Sequence, residues 1–179
     1  MLFRSPWAAS PEYVLPPGLT PTVFREALQA MRAVVGAGHV FSSDPELVGY
    51  HDHFAMRPVE AHMPSAAVAP KTVEEIQALL GIAREHGIPL WTISTGRNLG
   101  YGGSAPRMAG TLVLDLKRMN RIIEVNERHA YAVVEPGVSY KDLYRHLQKT
   151  GSKLWIDCAA PGWGGVVGNL VDRGVGYTP

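Results

Sequence analysis

The sequence predicts an α+β fold with mixed rather than purely parallel strand pairing. Three observations carry this. A strand–helix–strand run occupies residues 65–93. Two β-rich segments, 121–126 and 130–135, are close enough to form a hairpin. A further helix–strand pair follows over 139–157.

In order along the chain, residues 1–21 carry Pro6, Pro11, Pro16, Pro17 and Pro21 and read as an extended arm. A helix is predicted over 22–35. Thr20 caps it, Pro21 opens its first turn, and Phe24, Leu28, Met31 and Val35 share one face before Gly36 and Gly38 end it. Residues 39–64 are mixed and hold four of the seven histidines. A short strand over 65–70 is closed by Pro70. Thr72 and Glu75 form a capping box for a helix with Val73, Ile76, Leu79, Leu80 and Ala83 on one face, stopped at Gly87. Strands are predicted over 89–93 and 111–115, then the hairpin. Ser139 and Asp142 cap a helix through Leu147 with Gly151 beyond its end, and 153–157 reads as a last strand.

The composition excludes several functions. Seventeen basic and 16 acidic residues leave a formal charge of +1, against a dedicated nucleic-acid binder or a polybasic membrane-surface protein. Hydrophobic content of 46% suits a 179-residue globular chain. A single cysteine, Cys158, forms no internal disulfide. The first residues lack an apolar signal-peptide core, and no run approaches the roughly 20 residues of a membrane span. A cytoplasmic location is therefore expected.

The chemistry is sought in two glycine-rich segments. Ser94-Thr95-Gly96-Arg97-Asn98-Leu99-Gly100-Tyr101-Gly102-Gly103 directly follows a strand. Glycines permit positive φ, so successive N–H groups can turn inward as a nest for an anion such as a pyrophosphate. Gly100 to Ala105 matches a loose G-x-G-x-x-A. That fingerprint must open a helix, and here Pro106 and a strand follow, so a Rossmann reading fails on context. No phosphate-binding G-x-x-x-x-G-K-[ST] exists. A plain glycine hairpin is the bland alternative, and Ser94, Thr95, Arg97 and Asn98 supply more polar capacity than it needs.

The second segment is Pro161-Gly162-Trp163-Gly164-Gly165-Val166-Val167-Gly168-Asn169, followed by Asp172, Gly174 and Gly176. Glycines among apolar residues suit a flat aromatic ligand against backbone, or equally a tight crossover between packed elements. Two such loops favour one extended cofactor with a phosphate end and an aromatic end.

The stretches Thr92 to Gly103, Val134-Glu135-Pro136-Gly137-Val138, Gly168-Asn169 and Asp172 to Pro179 resemble the vanillyl-alcohol oxidase and p-cresol methylhydroxylase flavoprotein family, especially its 4-alkylphenol members such as eugenol oxidase or hydroxylase and the 4-alkylphenol methylhydroxylases. The resemblance covers about residues 60–179. It implies a PCMH-type FAD-binding domain, with an N-terminal α/β subdomain and an incomplete second one. Residues 1–60 then form an arm and helix, and 61–179 the FAD-binding domain.

The resemblance further implies FAD as cofactor. The loop from Ser94 to Gly103 would wrap its pyrophosphate through backbone amides. The turn at Pro136 and Gly137 would lie beside it. Ala159, Ala160, Pro161, Gly164, Gly165, Asn169, Asp172, Gly174 and Gly176 would line the flavin and its ribityl chain. Tyr101 matches a family tyrosine that hydrogen-bonds the substrate phenol oxygen and keeps it as phenolate, so that hydride can leave the benzylic carbon for the flavin. The implied activity is flavin-dependent oxidation of para-substituted phenols, with oxygen or a c-type cytochrome as electron acceptor and a possible homodimer. The other readings are a non-catalytic fragment keeping part of an FAD-binding surface, and an FAD-linked dehydrogenase of hydroxy acids or sugars.

Two departures stand out. Ala160 occupies the position where oxidase members carry a carboxylate, although Asp157 matches the preceding family acid. Family members are also much longer, so the substrate cap and the covalent flavin anchor have no counterpart among these residues. Other candidates are weaker. His51-Asp52-His53 lacks an evident third metal ligand and suits a surface or adenine-side contact better. Cys158 reads as a small apolar filler. Trp163 either flanks the flavin or caps the core.

Overall fold

The computed structural model describes residues 14–52, 54, 58–98, 103–158 and 162–174. Helix α1 (Pro21–Val35) starts at a Thr20 cap whose side chain accepts from the Val23 N–H, and ends at Gly36 with φ +86°. Phe24, Leu28, Met31 and Val35 are buried as expected, joined by Ala27. The described end of the expected arm packs on this core: Pro16 is fully buried, and Leu15 and Leu19 lie against it.

The mixed region after α1 is more regular than its composition predicts. It contains strand β1 (Val40–Phe41) and the one-turn helix α2 (Asp44–Leu47), capped by a reciprocal Ser43–Glu46 box. Strand β2 (Ala66–Val68), helix α3 (Val73–His86), strand β3 (Leu90–Ile93) and strand β4 (Leu112–Asp115) follow where expected. They form a four-stranded sheet in the order β1-β2-β4-β3. Strand β4 pairs in parallel with both β2 and β3, and β1 closes one edge antiparallel to β2. The mixed pairing agrees with the α+β expectation.

Helices α1 and α3 cover one face of the sheet. Their shared core takes in Phe24, Leu28, Met31, Leu79 and Ala83 with Ala66, Val68, Leu112 and Leu114. Leu47, Tyr50, Ala67, Ile93 and Val113 cluster separately, as strand alternation requires. Elements on both sides of the sequence-level division at residue 60 thus share one core.

Two details of α3 differ from expectation. Val73 and Leu80 are exposed, while Ile82 packs on the core. At 3.6 residues per turn, positions 73 and 80 fall about 90° and about 70° to one side of the centre of the Ile76–Leu79–Ala83 stripe, and Ile82 about 90° to the other, so packing rather than distance from the stripe selects the Ile82 side. The capping box is only half made: Thr72 accepts from the Glu75 N–H at 3.2 Å, but the Glu75 carboxylate takes the Lys71 N–H, at 2.6 Å.

Strands β5 (Ile122–Asn126) and β6 (Tyr131–Val134) form the expected antiparallel hairpin. Helix α4 (Tyr140–Thr150) has the reciprocal Ser139–Asp142 box and a left-handed Gly151 at its end. The strand expected over 153–157 is corrected. Leu154 and Ile156 do pack inward on Val138, Leu143 and Leu147, but no described strand pairs with the segment. Alternation sets which side chains are buried; a strand also needs a neighbour's backbone. Part of the second glycine segment is helical, α5 (Val166–Val171), an element the sequence reading did not assign. Among the described residues no helix is long and apolar enough to cross a membrane.

Candidate functional site

Strands β3 and β4 run in parallel and end side by side, with Ile93 paired to Asp115. Ligands of parallel sheets gather beyond the carboxyl ends of strands. The first glycine segment leaves β3 at that end. Thr95 is buried, whereas Arg97 and Asn98 are exposed. Gly96 and Gly103 have positive φ, +65° and +53°. Ser104 Oγ donates to the Gly96 carbonyl at 3.1 Å, and Trp91 Nε1 to the Gly103 carbonyl at 3.4 Å, which ties the loop's two described ends together. Leu99, Gly100, Tyr101 and Gly102 lie outside the described residues.

The second glycine segment closes onto the first. Ser94 Oγ donates to the Pro136 carbonyl, and Asn98 Nδ2 donates to Asp172 Oδ2 at 3.0 Å. Gly165 and Gly168 come up against the Ser94 side chain. The segment is also stitched to the start of α4. The Tyr140 N–H donates to the Gly164 carbonyl at 3.0 Å, the Lys141 N–H to the Gly162 carbonyl at 2.8 Å, and the Val166 N–H to the Val138 carbonyl at 3.0 Å. Asn169 Nδ2 donates to Tyr140 Oη at 2.8 Å. A Cβ on Gly174 would overlap the Asn169 amide.

The turn at Pro136 and Gly137 is the third wall. Glu135 is buried and accepts from the Arg121 backbone N–H at 2.7 Å, from its Nε at 2.9 Å and from its Nη2 at 2.7 Å. These hydrogen bonds from Arg121 hold the Glu135 carboxyl below the usual carboxylate range, against the opposing effect of burial. Gly137 is required sterically. A Cβ there would meet the carbonyl oxygens of Leu116, Lys117 and Met119 at 2.5, 2.7 and 2.7 Å.

Below the strand ends, Tyr50 Oη donates to the buried Asp115 at 2.8 Å, and Lys117 Nζ reaches the same carboxylate at 3.1 Å. Burial, then the Asp115 carboxylate, push the Tyr50 phenol far above its usual range. Asp52 is buried and accepts from the Phe54 N–H at 3.0 Å. His53 lies outside the described residues, so the His51–His53 pairing is not part of this geometry.

The structure therefore brings Ser94, Thr95, Gly96, Asn98, Pro136, Gly137, Gly165, Asn169 and Asp172 into one region. Ala159, Ala160, Pro161 and Gly176 lie outside the described residues. Trp163 is exposed rather than capping the core, and Cys158 is half-buried. Sequence reasoning missed Ser104 and Tyr140, which hold the loop and Asn169. Tyr140's signal was its position just inside the Ser139 cap, in helical register with Leu143 and Leu147.

A dinucleotide cofactor fits this region. Gly96 turns with positive φ just beyond β3, and the exposed Arg97 side chain follows it, an arrangement that suits an anion. Residues 64–178 match the family described as FAD binding domain. The chain belongs to that family.

Relatives refine the position of this FAD-binding domain. It is 47% identical over 169 residues to the 4-cresol dehydrogenase [hydroxylating] flavoprotein subunit of Pseudomonas putida, a match covering 93% of this chain and 32% of that protein. It superposes on p-cresol methylhydroxylase with substrate bound at a TM-score of 0.90 and 46% identity, covering 93% of this chain and 32% of that one. The 4-ethylphenol oxidase from Gulosibacter chungangensis, in its isoeugenol complex, gives a TM-score of 0.88 and 44% identity, covering 92% and 32%. The chain thus spans about a third of the length of these relatives, and the p-cresol methylhydroxylase resemblance read from its sequence holds.

Proposed function

We propose that this chain is the N-terminal, FAD-binding part of a flavoprotein that oxidises para-substituted phenols. The observation that carries the reading is the 47% identity to 4-cresol dehydrogenase over nearly the whole chain. The meeting of the two glycine segments beyond β3 supports it. When bound, FAD supplies the acceptor for a hydride from the benzylic carbon.

The chain's own residues have the following roles in this reading. The amides of Gly96, Arg97 and Asn98, with Leu99, Gly100 and Gly102, bind the pyrophosphate. The Pro136–Gly137 turn and the segment of Pro161, Gly164, Gly165 and Asn169 line the flavin side, with Ala159, Ala160, Asp172, Gly174 and Gly176. Tyr101 donates to the phenol oxygen and stabilises its anion, which pushes electron density toward the para substituent. Ala160 brings no carboxylate to this site, so any acid or base beside the benzylic carbon comes from elsewhere. The relative's description as a flavoprotein subunit supports a second, electron-accepting subunit, for which a c-type cytochrome is the proposed type. A homodimer is the proposed assembly of the flavoprotein.

The test is anaerobic bleaching of the flavin by a 4-alkylphenol in the full-length protein. Tyr101→Phe is expected to slow bleaching about 10- to 100-fold while FAD stays bound, because a hydrogen bond to an anionic oxygen is lost. Bleaching by a 2-hydroxy acid or a sugar, and not by the phenol, would overturn the reading in favour of the hydroxy-acid or sugar dehydrogenase alternative.

A further inference from the structure

The side chain of Ser94 is used inside the protein. Ser94 is the first residue beyond β3, and its Oγ donates to the carbonyl of Pro136, 42 residues away. The same Oγ fills the space a Cβ on Gly165 would take, and Thr95 Cγ2 would lie 3.1 Å from that Cβ. A Cβ on Gly168 would come within 3.0 Å of Ser94 Cβ and 3.3 Å of its Oγ. Two segments distant in sequence, the Pro136 turn and the second glycine segment, close on one hydroxymethyl group.

Serine suits this place. Alanine lacks the donor, and threonine would drive a further methyl into a close-packed contact. Gly168 sharpens the point, because it lies inside α5, where alanine is ordinarily preferred to glycine. A side chain there would press on its surroundings, and the atoms nearest to it belong to Ser94.

We infer that Ser94 is a positioning residue, the pin on which the two glycine segments close, and that Gly165 and Gly168 are glycine to admit Ser94 rather than to admit the flavin. The inference rests on the reading that these segments hold FAD. Pinning Ser94 sets where the Gly96–Asn98 amides begin and how far the second segment stands from them. Both distances decide whether one dinucleotide can touch both walls.

The experiment is a substitution cycle in the full-length protein with Gly168→Ala, Ser94→Gly, Ser94→Ala and the two double variants. FAD dissociation constants are read from quenching of flavin fluorescence, and thermal midpoints are measured without FAD. Gly168→Ala should weaken FAD binding about fivefold, because its Cβ overlaps Ser94 by a few tenths of an ångström, and Ser94→Gly about fivefold through the lost hydrogen bond. Ser94→Gly/Gly168→Ala should bind FAD as well as Ser94→Gly alone, because the overlap is gone. Ser94→Ala/Gly168→Ala should show no such rescue, because the Cβ remains.

Losses that multiply in the Ser94→Gly double variant would overturn the inference and assign Gly168 to the flavin. If Gly168→Ala fails to accumulate, recovery of folded protein in the Ser94→Gly double variant supports the pin, and its absence overturns it. If the unsubstituted protein binds no FAD, the FAD reading fails instead, and rescue of the thermal midpoint still decides the role of Ser94.

Discussion

The half of the molecule built on α1, α3 and the four-stranded sheet differs sharply from the half built on the hairpin, α4 and α5. The first buries Phe24 to 1% exposure and Ala66, Ala67, Leu112 and Val113 to 0%. In the second, Val138, Leu143 and Leu147 are the buried members of the local core, while Trp155 at 76% and Trp163 at 60% stand exposed. Ile123, Leu170 and Val171 are exposed with them. The first half has the denser core, and the second has the fewer buried apolar side chains. The candidate site lies on the seam, with its first glycine segment anchored in the well-packed half and its second in the open one. A loop that must hold an anion in fixed geometry gains from a rigid strand end. A wall that must meet a flat ligand gains from apolar surface.

The comparison is most directly broken by truncating one large side chain in each half. Phe24→Ala should destabilise the chain by about 3–5 kcal/mol in urea unfolding, as a fully buried aromatic does. Trp163→Ala should change stability by less than about 0.5 kcal/mol, as an exposed residue does. Equal losses would show that the open half carries as much of the fold as the closed one.

Next in size is Gly137→Ala. Three carbonyl oxygens already crowd the position of its Cβ. The turn must shift, at a cost of about 1–3 kcal/mol, and FAD affinity should fall with it. A Gly137→Ala protein that melts like its parent and titrates FAD identically would detach this turn from the site.

Glu135 sharpens the comparison through pH. Its folded carboxyl lies below its ordinary value of 4.5, because Arg121 hydrogen-bonds it. A depressed folded pKa contributes stability that is present above the unfolded value and lost as pH falls through the folded one. Acid unfolding between about pH 4.5 and the lowered folded value should therefore flatten in Glu135→Gln. An unchanged acid limb in equilibrium unfolding would count against the ion pair as a stabiliser of the hairpin end.

A small effect is expected at the caps. Thr72→Ala in the closed half and Ser139→Ala in the open half each remove a hydroxyl that accepts from the helix's first turn, worth about 1 kcal/mol. Ser139→Ala should also loosen the Asp142 return contact, which α3 lacks in that form. Circular-dichroism melts of the pair measure the difference. A larger loss from Thr72→Ala would contradict it.

Much of this was legible because local chemistry is written in short spacings. Thr20 before Pro21, the threonine and serine caps of α3 and α4, and the left-handed Gly87 and Gly151 mark helix ends without reference to the rest of the chain. The hairpin and the sheet strands were legible as short β-rich runs between turn residues, and the glycine loops marked the region of the site. Strand β1 and helix α2 were harder, because two- and four-residue elements are too short to establish a period.

The sequence by itself determined helices α1, α3 and α4, the strands β2 to β6, the mixed pairing, and the resemblance that pointed to FAD. Only the tertiary structure decided which side of α3 faces the core, because Leu80 and Ile82 flank the buried stripe and its neighbours choose between them. It also decided that residues 153–157 form no ladder and that the second glycine segment turns into a helix. A strand needs a partner's backbone. A six-residue helix gains little from its own propensity and depends on packing. The role of Ser94 was hidden for the same reason: Pro136, Gly165 and Gly168 are distant in sequence, and only folding makes them one contact.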